Sequence, residues 1–431
     1  MKVGISQEIL KEAITKGAIA ALSEDAQGDT STMRRIVQSV KITADKHITI
    51  ESSTSMLSVK YTIPASEDKG VVVKETGSIL VPAKELLQWV DLQSKESNIS
   101  ITLQKFEKPE IINTLDEGNG ETEDSPGFVL KKIGTVKLVS KTATKSNKKW
   151  ELDCYDPSEL SDIIFNQKSE KCFDIEGSQL PEAIASVSFA AQKKDYEHVL
   201  DSISIQNHKN SIYFVTTDQL RVALYMVPKN TISDIQSTKS LLVPSVLLDQ
   251  AAKIIDKEKK VTFSYSEELE KVSICQDNLK IRIVSTEKEH IKKFPSIMFL
   301  VDKEYNDLAE ISKKVMGDLL ANAALVNGSS ATLTFNKENG TLTITATSED
   351  NKYKPSVGQA PVSKVSKDAE LSQGVIHILE GLKVLKTDDI KVKLATNQKS
   401  IKILGKDNDY FSYFCQAVTD EKLRKLKEVA E

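Results

Sequence analysis

The sequence predicts an α+β protein of three similar domains, each an antiparallel sheet faced by helices. Two paired matches carry this. Residues 53–64 read STSMLSVKYTIP and residues 217–228 read TDQLRVALYMVP; each follows a strand-like run, 47–52 or 212–216, and Tyr61 matches Tyr225. Further along, 78–90 reads SILVPAKELLQWV and 240–254 reads SLLVPSVLLDQAAKI. A repeat of domain size fixes the architecture before any single residue does. The 431-residue length suits two to four domains.

In the first copy, Ser6 can cap a helix with Ile9, Leu10, Ala13, Ile14 and Gly17 on one face. Strands follow over 40–43, 47–51 and 57–63. Pro82 stands in the first turn of a second helix, where its missing N–H costs nothing, and Leu86, Leu87 and Val90 give that helix its stripe. Strands over 99–103, 135–139 and 149–155 close the copy. Residues 105–131 are rich in Gly, Pro, Asn and acids, among them Asp116, Glu117, Glu121, Glu123 and Asp124. They read as an exposed insertion.

In the second copy, Ser178 caps a helix through Ile184 and Val187. Strands cover 199–206 and 211–216, then the 217–228 segment. Pro244 opens a helix with Leu247, Leu248, Ala251 and Ile255, and strands 261–266, 271–276 and 279–285 follow. The third copy is fainter. Leu308, Ile311, Val315 and Leu319 fit one helical face. Residues 331–336 and 340–347 form a hairpin turning at Asn339 and Gly340. Ile378, Leu379, Leu382 and Leu385 mark a second helix, and 390–394, 400–404 and 410–418 are closing strands. The domains are expected at 1–172, 173–304 and 305–431, the last with a charged tail over 420–431.

Composition excludes several classes. Apolar residues make up 39% and charged residues 28%, with 58 basic and 62 acidic side chains and a net charge of -4. That argues against a wholly basic nucleic-acid binder, not against a local basic surface. Cys154, Cys172, Cys275 and Cys415 are scattered and read as free thiols of a cytosolic protein. No signal peptide and no apolar run long enough to span a membrane is visible, so the chain is expected to be cytoplasmic.

No catalytic signature emerges: no G-x-G-x-x-G, P-loop, G-x-S-x-G or H-E-x-x-H. The histidines, His47, His198, His208, His290 and His377, lack metal-ligand spacing, so no metal or cofactor is expected. Thr217, Asp218 and Arg221 read as a turn with an Asx-type bond followed by a strand arginine. Lysines recur on the helices of every copy: Lys11, Lys16 and Lys84; then Lys193, Lys194, Lys253 and Lys257; then Lys313, Lys314, Lys383 and Lys386. A single helical lysine is usually a solvated face. Recurrence in three copies suits sequence-independent contact with phosphates.

The chain resembles the bacterial DNA polymerase III beta subunit, the beta sliding clamp. The resemblance rests on GSILVPAK at 77–84, TDQLRVAL at 217–224, LVP at 242–244 and KFP at 293–295, in that order. The second is similar to the family's T-D-G-H-R-L-A motif. A bacterial or phage source fits equally. The resemblance implies a head-to-tail homodimeric ring, with helices lining a central channel and sheets outside. Such a ring encircles double-stranded DNA without reading sequence, is opened by a clamp-loader ATPase and tethers a DNA polymerase. DNA contacts would come from the lysines above, with His198.

It also implies a pocket for a short partner peptide with apolar anchors. The middle domain would give Leu200, Thr217, Gln219, Leu220, Arg221, Val222, Pro244 and Leu248. The third would give Ser400, Phe414, Gln416 and Val418. Arg221 would hold a carbonyl or carboxylate at the groove's rim. Gln219 stands where the family has glycine, Leu220 where it has histidine, and the last strand lacks the family's Leu-Pro-Met-like ending. The dimer contact would join Lys148, Lys149 and Trp150 to Leu325 and Val326. Two other readings stay open: an enzyme using Asp218 and His198 in a hydrolase-type site, and a clamp-like structural protein that does not bind DNA.

Overall fold

The computed structural model describes all residues except 24–34, 114–128, 143–146, 161–168, 193–198, 234, 236–239, 267–269, 286–291, 328, 349–353, 397–399 and 417–431. Six helices of nine residues or more are present among the described residues: α1 (Gln7–Gly17), α2 (Ala83–Asp91), α3 (Gln179–Val187), α4 (Ser245–Ile254), α5 (Lys313–Ala324) and α6 (Val375–Val384). They fall in three pairs. From Lys2, from Glu170 and again from Tyr305, the chain runs strand, helix, five strands, helix, three strands. The repeat seen in two short segments thus extends to every element.

Two compact units contain these elements: Met1–Lys171 with Gln250–Val284, and Cys172–Asp249 with Ser285–Glu431. In the first, the sheet order is Lys260–Ser266, Lys271–Gln276, Leu279–Val284, Leu57–Pro64, His47–Ser53, Ser39–Ala44, Gly77–Pro82, Asn147–Tyr155, Val129–Lys141, Asn98–Asn113, Lys2–Ser6 and Val71–Glu75. α1 buries Leu10, Ala13, Ile14 and Gly17 against it. Gly17 has to be glycine, because a Cβ there would lie 2.6 Å from Ile50 Cγ2.

In the second unit, a nine-stranded sheet has the order Leu241–Pro244, Ser202–His208, Ser211–Thr217, Arg221–Met226, Asn408–Gln416, Ser400–Gly405, Asp389–Ala395, Tyr305–Ser312 and Lys364–Val365. A four-stranded sheet has the order Ser356–Pro361, Thr341–Ala346, Ala331–Asn336 and Ala369–Gln373. One tie recurs between copies. Ser52 Oγ donates to the carbonyl of Gly17 at 2.7 Å, and Thr216 Oγ1 to that of Val187 at 2.5 Å. Each pins the last residue of the copy's first helix to its sheet.

Several expectations shift. Leu308 and Ile311 lie in the strand Tyr305–Ser312, and α5 begins only at Lys313. A bulge after Asp307 puts Leu308 and Ala309 both inside, which breaks alternation and imitates a helical spacing. Pro82 and Pro244 end strands, one residue ahead of their helices. Neither Ser6 nor Ser178 caps with its side chain; the Gln7 N–H instead reaches the carbonyl of Ser97 at 2.9 Å.

Of the 105–131 stretch, the described residues 105–113 and 129–131 lie in two strands, Asn98–Asn113 and Val129–Lys141. Its flanks pair from Glu110 with Lys132 to Asn113 with Val129, and Leu130 is buried beside Tyr155 and Leu160. A cluster of turn-forming residues outweighed that pairing in the sequence pattern. The acidic residues from Asp116 to Asp124 and the 420–431 tail lie outside the described residues.

Candidate functional site

Two strand junctions follow one rule: the third strand after a copy's first helix pairs with the last strand of the next copy. Leu57–Pro64 pairs with Leu279–Val284, and Arg221–Met226 pairs with Asn408–Gln416. The second junction gathers the expected partner site. Thr217 faces Val222, Val222 faces Phe414, and Ser400 faces Gln416. The Gln416 N–H donates to the carbonyl of Leu220 at 3.0 Å. Pro244 pairs with Ser202, and Ser204 with Val215, which puts Pro244 at the same end of the sheet.

The site has two faces because side chains alternate along a strand. Val222, Leu224 and Met226 join Tyr213, Val215 and Phe414 in an apolar cluster packed by Phe294, Ile297, Met298, Leu300, Val301 and Tyr305. Tyr305 lies 5.6 Å from the Phe414 ring, and the Lys402 ammonium 5.3 Å from it. Gln219 and Gln416 are exposed, and Leu200 and Leu220 half-buried. Leu248 is 0% exposed, so it belongs to the core rather than to an open wall. Val418 lies outside the described residues.

Arg221 points to the opposite face and is buried. Its Nε donates to Asp218 Oδ2 at 2.8 Å, Nη1 to Glu380 Oε2, and Nη2 to the carbonyl of Phe189 at 3.2 Å. The guanidinium sits 5.6 Å from the Phe189 ring centre. It does hold a carbonyl and carboxylates, but they belong to the chain itself, not to a partner at the rim. Asp218 Oδ1 accepts from the N–H groups of Leu220 at 3.1 Å and Arg221 at 3.0 Å, the Asx-type turn expected. Inside that turn Gln219 has φ 73°, a conformation costly for a side chain with a Cβ. Asp218 is therefore committed to the turn and to Arg221. The other half of the hydrolase-type reading, His198, lies outside the described residues.

Behind Arg221, Tyr413 donates its hydroxyl to the carbonyl of His377 at 2.8 Å. Gly381 leaves room for its ring, which a Cβ would meet at 2.5 Å. Burial, and then the nearby Arg221 charge, holds His377 below its usual pKa. Burial pushes the Cys415 thiol up to about 12, so it stays protonated and unreactive. Glu380, Phe189, Tyr413 and His377 were not anticipated. A lone acid in the apolar run VIHILEGLKV of α6 was the available signal for Glu380.

The lysines divide. Lys84, Lys253, Lys257, Lys314 and Lys383 are exposed. Lys11 pairs with Asp91 at 3.0 Å and Lys16 with Glu12 at 2.7 Å. Lys313 Nζ donates to the carbonyl of Leu385 at 2.7 Å and so ties α5 to the end of α6. Lys386 pairs with Glu182 at 2.7 Å. A cleft of ≈ 670 Å³ brings Lys11, Lys16 and Lys253 together with Lys95, but Glu8, Glu12, Asp91 and Asp256 balance them. Lys84 lines another, of ≈ 880 Å³, with Arg35, Glu85, Glu151 and Asp153. Lys193, Lys194 and His198 lie outside the described residues. Among the described residues, no three His, Cys, Asp or Glu side chains gather as a metal site requires. No helix among them is long and apolar enough to cross a membrane.

At the expected dimer contact, Trp150 is half-buried and stacks on Trp89, with ring centres 6.4 Å apart. Leu92, 73% exposed, lies alongside: its carbonyl accepts from Lys148 Nζ at 3.2 Å. Leu325 is 80% exposed and Val357 66%.

Residues 174–287 match the DNA polymerase III beta subunit, central domain, and 299–418 match its C-terminal domain, together more than half of the chain. No curated protein sequence matches. Among solved structures, the DNA polymerase III subunit beta from Pseudomonas aeruginosa is 15% identical, with TM-score 0.74 over 97% of this chain and 100% of that one. The sliding clamp from Bacillus subtilis is 16% identical, with TM-score 0.72 over 97% and 99%. The beta subunit from Thermotoga maritima is 17% identical, with TM-score 0.73 over 97% and 99%. At such identities these structures establish the shared fold alone.

Proposed function

The chain belongs to the DNA polymerase III beta-subunit family, and on that premise we propose that it is a processivity clamp, a non-enzymatic ring that encircles duplex DNA and tethers a polymerase. The observation that carries this is the junction rule. Two junctions are made inside the chain, and the rule leaves two strands over: Ser356–Pro361 of the third copy and Asn147–Tyr155 of the first. Among the described residues, Ser356–Pro361 pairs on one side only, with Thr341–Ala346. Asn147–Tyr155 pairs along one side with Val129–Lys141 and on the other only at Tyr155 with Leu80. Free edges of this kind invite pairing with another chain. Pairing them between two copies, head to tail, makes the same junction twice more and closes a homodimeric ring.

The exposed apolar side chains support this closure. Exposed Leu92 and half-buried Trp150 flank the first edge, and exposed Leu325 and Val357 the second, an apolar match that bare edges would not need. The exposed lysines suit weak, exchangeable phosphate contacts, which let a linked ring slide. A loader ATPase would open the ring in the cytoplasm. The apolar end of the second junction, from Pro244 to Val222 and Phe414, would take a partner's peptide. Trp150→Ala with Leu325→Lys should convert dimers to monomers in analytical ultracentrifugation while the far-UV circular dichroism stays unchanged. An unchanged dimer mass would reject this closure.

A further inference from the structure

We propose that Glu380 is a positioning residue for the partner groove: from α6 it holds, through Arg221, the 217–222 turn that forms the groove's rim. The inference rests on the groove reading above. Glu380 is not a wall of that groove. Its Oε2 accepts from Arg221 Nη1, and Arg221 Nε is held by Asp218 Oδ2. Asp218 Oδ1 then fixes the N–H groups of Leu220 and Arg221. Inside that span sits Gln219, with its φ of 73°. Left alone, a glutamine would leave this conformation, so something has to hold the turn. Thr217 Oγ1 accepts from the Gln219 N–H at 3.0 Å and donates to the Arg221 carbonyl at 2.7 Å, and the acceptor shell of Arg221 holds the other side of the turn. Asp218 can keep one oxygen on the turn and one on the guanidinium only while the guanidinium stays in place. Glu380 and the Phe189 carbonyl fix it there.

The first junction points the same way. Thr54 occupies the place of Asp218, and its Oγ1 accepts from the N–H groups of Leu57 at 3.0 Å and Met56 at 3.3 Å. Leu57 takes the place of Arg221, and Gln250, counted from the start of α4, that of Glu380. Ser55, which takes the place of Gln219, is absent from the residues with positive φ. The ionic hold and the strained residue occur together at one junction and are both missing from the other.

The test uses the full-length protein and two readouts. One is binding of a fluorescein-labelled hexapeptide with Leu and Phe at its C-terminal end. The other is hydrogen exchange at the amides of Leu220 and Arg221. Glu380→Ala should weaken peptide binding about tenfold, as expected when a charged hydrogen bond is lost, and speed exchange at both amides. Glu380→Gln, which keeps an acceptor, should fall between. Adding Gln219→Gly to Glu380→Ala removes the strain, so it should restore binding and slow exchange at both amides again. If Glu380→Ala binds and exchanges like the parent, Glu380 positions nothing. If Gln219→Gly fails to restore binding, Glu380 contributes general stability only, and the proposal falls. A parent that does not bind the peptide refutes the groove reading instead, while the exchange measurement still decides whether Glu380 holds the turn.

Discussion

The two strand junctions are built alike and clothed differently. At both, a turn residue's side-chain oxygen accepts two backbone N–H groups. At both, the last strand donates one N–H to the turn: Val284 to the carbonyl of Met56 at 2.8 Å, and Gln416 to that of Leu220 at 3.0 Å. The outer face separates them. At the first junction it carries Ser58, Lys60 and Thr62, with Lys280 and Arg282 opposite, and Lys60 pairs with Glu51 at 3.0 Å. At the second it carries Val222, Leu224 and Met226 with Phe414 opposite. The inner face reverses the contrast, with Leu57 buried in core and Arg221 in a cage of acceptors. A duplicated scaffold thus separates what builds a junction from what the junction presents. Hydrogen-bonded turns and strand register persist in both, and an apolar outer face suited to peptide anchors occurs in one.

Exchanging the inner residues should give the largest effect. Leu57→Arg puts a guanidinium into core where Thr54 and Gln250 offer no carboxylate, at a cost of roughly 3 kcal/mol or more. Arg221→Leu strands Asp218 and Glu380. Because Glu380 is partly solvated, about 2–3 kcal/mol is expected. Urea denaturation measures both, and two unchanged midpoints would mean that the inner faces are interchangeable.

Exchanging the outer residues should act on binding instead. Val222→Ser copies Ser58 and should weaken a Leu- and Phe-anchored peptide about tenfold, as the loss of an apolar branch predicts, with a stability loss of roughly 1 kcal/mol because Val222 also packs in the apolar cluster. Fluorescence anisotropy reads this. Equal affinity would move the partner surface elsewhere. Leu248 is a poor probe here, because its burial makes any polar replacement report folding first.

The smallest effect should be one of pH. His377 faces Arg221, with Asp218 and Glu380 nearby, and its folded pKa lies below the ordinary 6.5. The folded state therefore takes up its proton later than the unfolded chain. Its contribution to stability is full above pH 6.5 and is lost as the pH falls through the folded pKa. His377→Asn should flatten the loss of thermal midpoint on acidification, and an identical slope in the variant would discount His377.

Much of this was legible in the sequence, for identifiable reasons. The first two copies share strings long enough to align by eye, and the turn at Asp218 announces itself because its hydrogen bonds span three residues or fewer. The third copy's first helix was misplaced because a bulge shifts strand phase, which periodicity cannot distinguish from a helix. Arg221 was legible as important but not as internal, since its partner Glu380 lies 159 residues away. Leu248 looked like a groove wall for a related reason, because an apolar residue on a helix carries no mark of how deeply it packs. The lysine faces were legible as recurrent, but not the acids that pair with Lys11 and Lys16.

Topological linkage is the central claim, and retention on DNA tests it most directly. The full-length protein is incubated with a nicked circular plasmid, a clamp-loader ATPase and ATP, then passed through a sizing column at high salt, which strips phosphate contacts. The account predicts that protein stays with the circle and is lost once the same DNA is cut at one site. Equal retention, or equal loss, on circle and linear DNA would contradict it.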